Sequence, residues 1–165
     1  MARTKSILFP NSLSEFEPLF DKLQRAQVNQ LLNAGGLVIK AGGSAVVKTV
    51  NTIKVMVDGV LISKAAADMA ALVGTVAADA FNVYVFTVNA AGTLATQMGT
   101  PGATLGAVVF PTIAEGKVVI GFIIVNPTGT GDFVGGTTPL ADGTVVPNVV
   151  YIDTVGSFLP ELSTL

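Results

Sequence analysis

The chain has 165 residues and a net charge of −2, with no His and no Cys. That excludes a basic field for nucleic acid, any disulfide, thiolate or imidazole metal sites, and catalytic devices built on those side chains. Only 12% of the residues are charged while 50% are apolar, half the usual charge of about 25%, so either much of the surface meets other protein or a monomer is coated in Thr, Ser, Asn and Gly.

In chain order, MARTKSILFPNS reads as an extended lead closed by Pro10. Its apolar run, Ile7, Leu8 and Phe9, is too short for a signal-peptide core, so synthesis and assembly in a cytoplasm are expected. A helix follows. Ser14 with Glu17 fits a capping box and Pro18 is tolerable in a first turn. Phe16, Leu19, Phe20 and Leu23, then Leu31 and Leu32, recur near helical spacing until Asn33 and Gly35-Gly36 end the helix. Seven of the twenty charged side chains fall in the first 25 residues, which divides the chain into an N-terminal arm and helix, 1–36, and a β-domain, 37–165. The helix either packs on its own domain or lies as an arm on a neighbouring subunit. In the second case Ile7, Leu8, Phe9, Phe16, Leu19, Phe20 and Leu23 are the contact residues.

From residue 37 the apolar period becomes two. SAVVKTV reads as a strand, and Ile53, Val55 and Val57 alternate with polar neighbours until Asp58-Gly59 turns the chain into VLIS, a hairpin signal. SKAAADMAALV, 63–73, is either a short helix or an alanine-rich β connection. FNVYVFTVN, a turn through Gly92 and TLATQM form a second hairpin; TLGAVVF and KVVIGFIIV follow as strands joined through PTIAEG, and GTVVPNVVYID closes the series. The apolar runs are of strand length, short of the ~20 residues of a membrane-spanning helix. The fold class expected is mainly β, an antiparallel β-sandwich or partly closed barrel behind the arm and one amphipathic helix.

One stretch, GTGDFVGGTTPL at 129–140, imitates a phosphate loop, with Gly131 and Gly136 at the required spacing. Thr137 stands where that loop needs Lys, and the residues that follow read as turn and strand instead of helix. The expected role is a strand connection: Phe133 and Leu140 anchor it to the core, Gly135 and Gly136 supply positive φ and close approach, and Thr137 and Thr138 satisfy local backbone groups. The carboxylates Asp58, Asp68, Asp79, Asp132, Asp142 and Asp153 are scattered beside turns and strand ends and read as structural. No catalytic residue, cofactor or metal site is assigned.

The order FNVYVFTVNAAGTLATQMG, then PTIAEGKVVIGFIIVNPTGTGDFVGGTTPLADGTVVPNVVYID, resembles a group of tailed-bacteriophage virion proteins of the head decoration or capsid cement type. The likeness covers roughly residues 50–155 and is one of cadence: an aromatic strand turning through Ala-Ala-Gly, a Glu-Gly-Lys turn into Gly-Phe-Ile-Ile-Val, and a Phe, Gly-Thr-Thr, Leu loop before the last strand. It implies a non-enzymatic virion protein on the outer capsid surface, bound to the major capsid protein and assembled as a homotrimer or other small oligomer; the charge and the short apolar runs lead us to expect no nucleic-acid or membrane partner. The alternative is a phage fibre or tail-associated receptor-binding component, which would need exposed aromatic platforms to hold sugar.

Overall fold

The computed structural model describes residues 13–126, 128–146 and 149–160, with side chains from residue 17 onward. In chain order it runs α1 (Leu13–Val28), β1 (Gln30–Leu31), β2 (Leu37–Ile39), β3 (Val47–Thr49), β4 (Ile53–Val57), β5 (Val60–Lys64), β6 (Thr75–Val76), β7 (Asn82–Asn89), β8 (Leu94–Met98), a 3-10 turn at Leu105–Ala107, β9 (Lys117–Val125), β10 (Phe133–Val134) and β11 (Val150–Asp153). The strands pair antiparallel in four sheets, ordered β11-β9-β7-β8, β1-β4-β5, β2-β3 and β10-β6. The fold is therefore mainly β and sandwich-like. Among the described residues no sheet closes on itself, so there is no closed barrel.

The four-stranded sheet is covered on both faces, and this explains why β7 and β9 read as nearly unbroken apolar runs. On one face Tyr84, Phe86 and Val88 of β7 join Leu31, Ile53, Val55 and Val57 of the three-stranded sheet, together with Leu37, Val47, Val76 and Phe133 from the small sheets. On the other, Val83 and Val85 meet Val108, Phe110 and Ile113 from the connection after β8. Phe110 and Phe158 close around Phe122, with centroids 5.1 and 5.6 Å from its ring. Strand β9 changes phase along its length. Val118 and Ile120 face the first cluster, but so do Ile123 and Val125, because the register against β7 slips by one residue between Phe86 and Thr87. The slip is a β-bulge at Ile120, which re-aims the rest of the strand. Gly121 follows it where a Cβ would come within 2.6 Å of Leu37 Cδ1 and collide with the Ile152 carbonyl oxygen, so the bulge and the small residue belong together.

Both expected hairpins form. Asp58 and Gly59 take φ of 50° and 77°, the left-handed pair that a two-residue turn between right-twisted strands requires. At the second turn Asn89 Oδ1 accepts the N–H groups of Ala91 and Thr93 at 3.1 and 2.9 Å, with Gly92 at φ 74°.

Three expectations are corrected and one open alternative is decided. The helix ends at Val28, and Leu31 is a fully buried strand residue opposite Val55; its i, i+8 relation to Leu23 imitated a helical stripe across a strand. Leu13 is already helical, so Ser14 lies inside the helix instead of capping it, and Pro18 is its sixth residue. TLGAVVF is not a strand. Val108 and Phe110 alternate with exposed Val109 because they cover the sheet, while the backbone doubles back so tightly that a Cβ on Gly102 would lie 2.6 Å from the Ala107 carbonyl carbon. Segment 63–73 ends β5 and then crosses, without a helix, to bond the edge of β3, through Ala67 O to Thr49 N and Met69 N to Val47 O.

Candidate assembly surface

Helix α1 is moored at its C-terminal end. The Val28 carbonyl accepts the Gly59 N–H at 3.0 Å, Asn29 Oδ1 accepts the Asp58 N–H at 2.8 Å, and the Gln30 amide donates to the Ala26 and Gln27 carbonyls. These bonds occupy carbonyls that a helix end leaves without partners. One further tether, Arg25 Nη2 to the Ile113 carbonyl at 3.2 Å, holds the last turns to the connection before β9.

The apolar stripe of the same helix is turned outward. Leu19 is 60% exposed, Phe20 46% and Leu23 54%. Leu19 and Leu23, one turn apart, line an open groove of about 280 Å³ with Lys22, Ala26 and Leu159. Of the seven predicted contact residues the structure thus brings Leu19 and Leu23 together and sets Phe20 beside them. Phe16 is on the helix but its side chain is outside the described residues, as are Ile7, Leu8 and Phe9. Lys22, Ala26 and Leu159 were missed. Lys22 and Ala26 lie off the large apolar positions of the helical pattern, and Leu159 sits beside Pro160 in a tail without periodicity.

The glycine-rich loop is built as a strand connection. Phe133 and Val134 pair with Val76 and Thr75, and Phe133 and Leu140 are buried anchors, the former edge-on to Tyr84 at 6.0 Å. The two glycines divide the work. Gly136 supplies the positive φ, 74°, whereas Gly135 lies so close to the backbone of Leu72 and Val73 that a Cβ would approach within 2.9 Å. Thr138 Oγ1 accepts the Val134 N–H at 2.9 Å. Turns, not a helix, follow Gly136.

Four of the scattered carboxylates are occupied in structure. Asp132 accepts the Ala78 N–H at 3.0 Å; Asp142 accepts those of Thr144 and Val145 at 2.8 and 3.1 Å; Asp153 accepts those of Gly36 and Leu37 at 2.9 and 3.2 Å. Asp68 pairs with Lys40 at 2.5 Å. Among the described residues no three potential ligands group as a metal site would require, and no helix is long and apolar enough to cross a membrane.

Both tyrosines belong to the first core cluster, Tyr84 fully buried and Tyr151 packed against it. Burial pushes the Tyr84 hydroxyl up to about 12 and raises that of Tyr151. Neither tyrosine is therefore part of the helix surface. Comparison with protein-family profiles, curated proteins and solved structures finds no match for the chain.

Proposed function

We propose that the chain is a non-enzymatic structural protein of a tailed-phage virion, a capsid cement or decoration protein that binds the outer surface of the head and links neighbouring capsid subunits. The observation that carries this reading is the exposed pair Leu19 and Leu23, one turn apart on a helix whose C-terminal turns are tethered to the β-domain. Adjacent large apolar side chains exposed on one face are a feature of proteins that lie on a larger surface.

Magnitude decides how such a surface works. Burying two Leu and one Phe yields roughly 5–8 kcal/mol, which is about the size of the cost of association, ~4–15 kcal/mol. One copy through one helix would bind weakly. Several linked copies engage neighbouring sites at high effective concentration, so tight attachment calls for a small oligomer on a repeating lattice.

The test is a titration of purified protein onto mature capsids that lack it, counting copies per particle. Saturation at the number of repeating lattice positions supports the cement role. Saturation at a few sites, at a vertex or the tail, or no binding at all, would move the assignment to the fibre or receptor-binding alternative.

A further inference from the structure

The three-stranded sheet has one edge closed and one open. On the closed side the Leu31 N–H and carbonyl exchange bonds of 2.9 and 2.7 Å with Gly156. The outer edge of β3 is likewise covered, by Ala67 and Met69. On the other side β5 pairs with β4 from Val57↔Val60 to Ile53↔Lys64, and no described residue bonds to its outer edge.

Which groups stand open follows from the turn. A two-residue hairpin makes its first flanking residues, Val57 and Val60, a hydrogen-bonded pair, and pairs then alternate, so Ile62 and Lys64 also bond inward to β4. Lys54 confirms the phase from the other side, its carbonyl accepting the Leu32 N–H. Leu61 and Ser63 are left with N–H and C=O pointing away from the sheet. Natural edges are usually blocked by Pro, a bulge or a central Lys. Strand β5 has no Pro, its register is unbroken, its one Lys is the last residue, and Val60 and Leu61 are 57% and 64% exposed.

We infer that the β5 edge is a self-association site, on which the β5 strand of a second copy of this chain pairs antiparallel across a twofold axis centred on Ile62. In that register Leu61 of each copy faces Ser63 of the other, and the four open N–H groups meet the four open carbonyls. Opposite charges close both ends. Asp58 precedes the strand and Lys64 ends it, so antiparallel pairing brings the Asp58 end of one copy to the Lys64 end of the other, whereas parallel pairing would align like with like. One edge used in this way closes after two copies. A trimer would have to be built on a different face. The inference is independent of the capsid reading, since it concerns the free protein.

Sedimentation of the full chain over a concentration series tests it. Wild-type protein is expected to pass from 16.8 kDa to twice that mass as concentration rises. Ser63→Pro removes an outward N–H and leaves the β4 ladder intact, and Leu61→Lys puts a charge on an exposed edge position; each is expected to weaken the dimer ~tenfold or more with an unchanged far-ultraviolet spectrum. If Ser63→Pro fails to fold, Leu61→Lys decides. The register has its own readout, because the chain has no Cys. Ile62→Cys places two thiols in a facing pair with Cα atoms ~4.5 Å apart, suited to a disulfide, so it is expected to cross-link on mild oxidation faster than Leu61→Cys. A wild-type monomer at every concentration, an oligomer that survives both edge variants, or equal cross-linking of the two Cys variants would overturn the inference.

Discussion

The β7–β9 pair and helix α1 use the same kinds of side chain to opposite ends. In the strand pair, Tyr84, Phe86, Ile120 and Ile123 are fully buried between two covering layers. On the helix, Leu19, Phe20 and Leu23 are about half exposed, and the C-terminal end is tethered to the hairpin turn. Apolar content alone does not say which surface holds the fold and which stays exposed. What distinguishes them among the described residues is the cover: the 100–113 connection and Phe158 cover the second face of the large sheet, whereas the helix groove is lined from outside the helix by Leu159.

The sharpest break in that comparison comes from the core. Phe86→Ala removes a buried ring and is expected to cost about 3–5 kcal/mol, a large share of a small domain's stability, seen as a drop in the urea midpoint without loss of slope. Gly135→Ala comes next. It sets a methyl within 2.9 Å of the Leu72–Val73 backbone, with an expected loss of about 1–3 kcal/mol and no effect on the helix face. Tyr84 gives a pH signature. Its hydroxyl is raised above the ordinary tyrosine value to about 12, so the folded state holds a proton that the unfolded chain releases. The stability associated with the neutral phenol is complete below pH ~10 and is lost as pH rises from there through about 12. Its slope is at most about 1.4 kcal/mol per pH unit. Tyr84→Phe is expected to flatten that part of the alkaline melting curve, and at neutral pH to cost little, since no described group bonds the buried hydroxyl. Smallest is Leu19→Ser with Leu23→Ser, expected to change stability by under about 0.5 kcal/mol each.

Residue patterns revealed the sheet chemistry well. The Asp58-Gly59 hairpin, the β7–β8 hairpin, strand β9 and the anchored loop 129–140 were legible because each rests on local rules: alternation, a turn dipeptide, or a buried residue either side of glycines. What escaped depends on tertiary closeness. Leu31 could be told from a helical residue only by its pairing with Val55, and TLGAVVF only by the packing of Gly102 against Ala107. The exposed stripe was half legible. The spacing of Leu19, Phe20 and Leu23 was plain, but amphipathic spacing leaves open whether a helix is covered from within. The open β5 edge was hidden altogether, since VLISK reads the same whether or not a neighbour covers it.

The β1 strand also limits how the helix can be removed. A truncation through residue 33 would take Leu31 out of the core and the partner of Gly156 with it, so a cut meant to spare the β-domain must stop before Val28, whose carbonyl caps the Gly59 turn.

The most direct measurement is therefore a paired one on Leu19→Ser/Leu23→Ser: the urea midpoint, and the titration onto capsids lacking the protein, set beside wild type. A midpoint within error of wild type together with at least ~tenfold weaker capsid binding is the expected result. Capsid binding at wild-type strength, or a midpoint that falls as far as in Phe86→Ala, would show that the helix face is not the attachment surface.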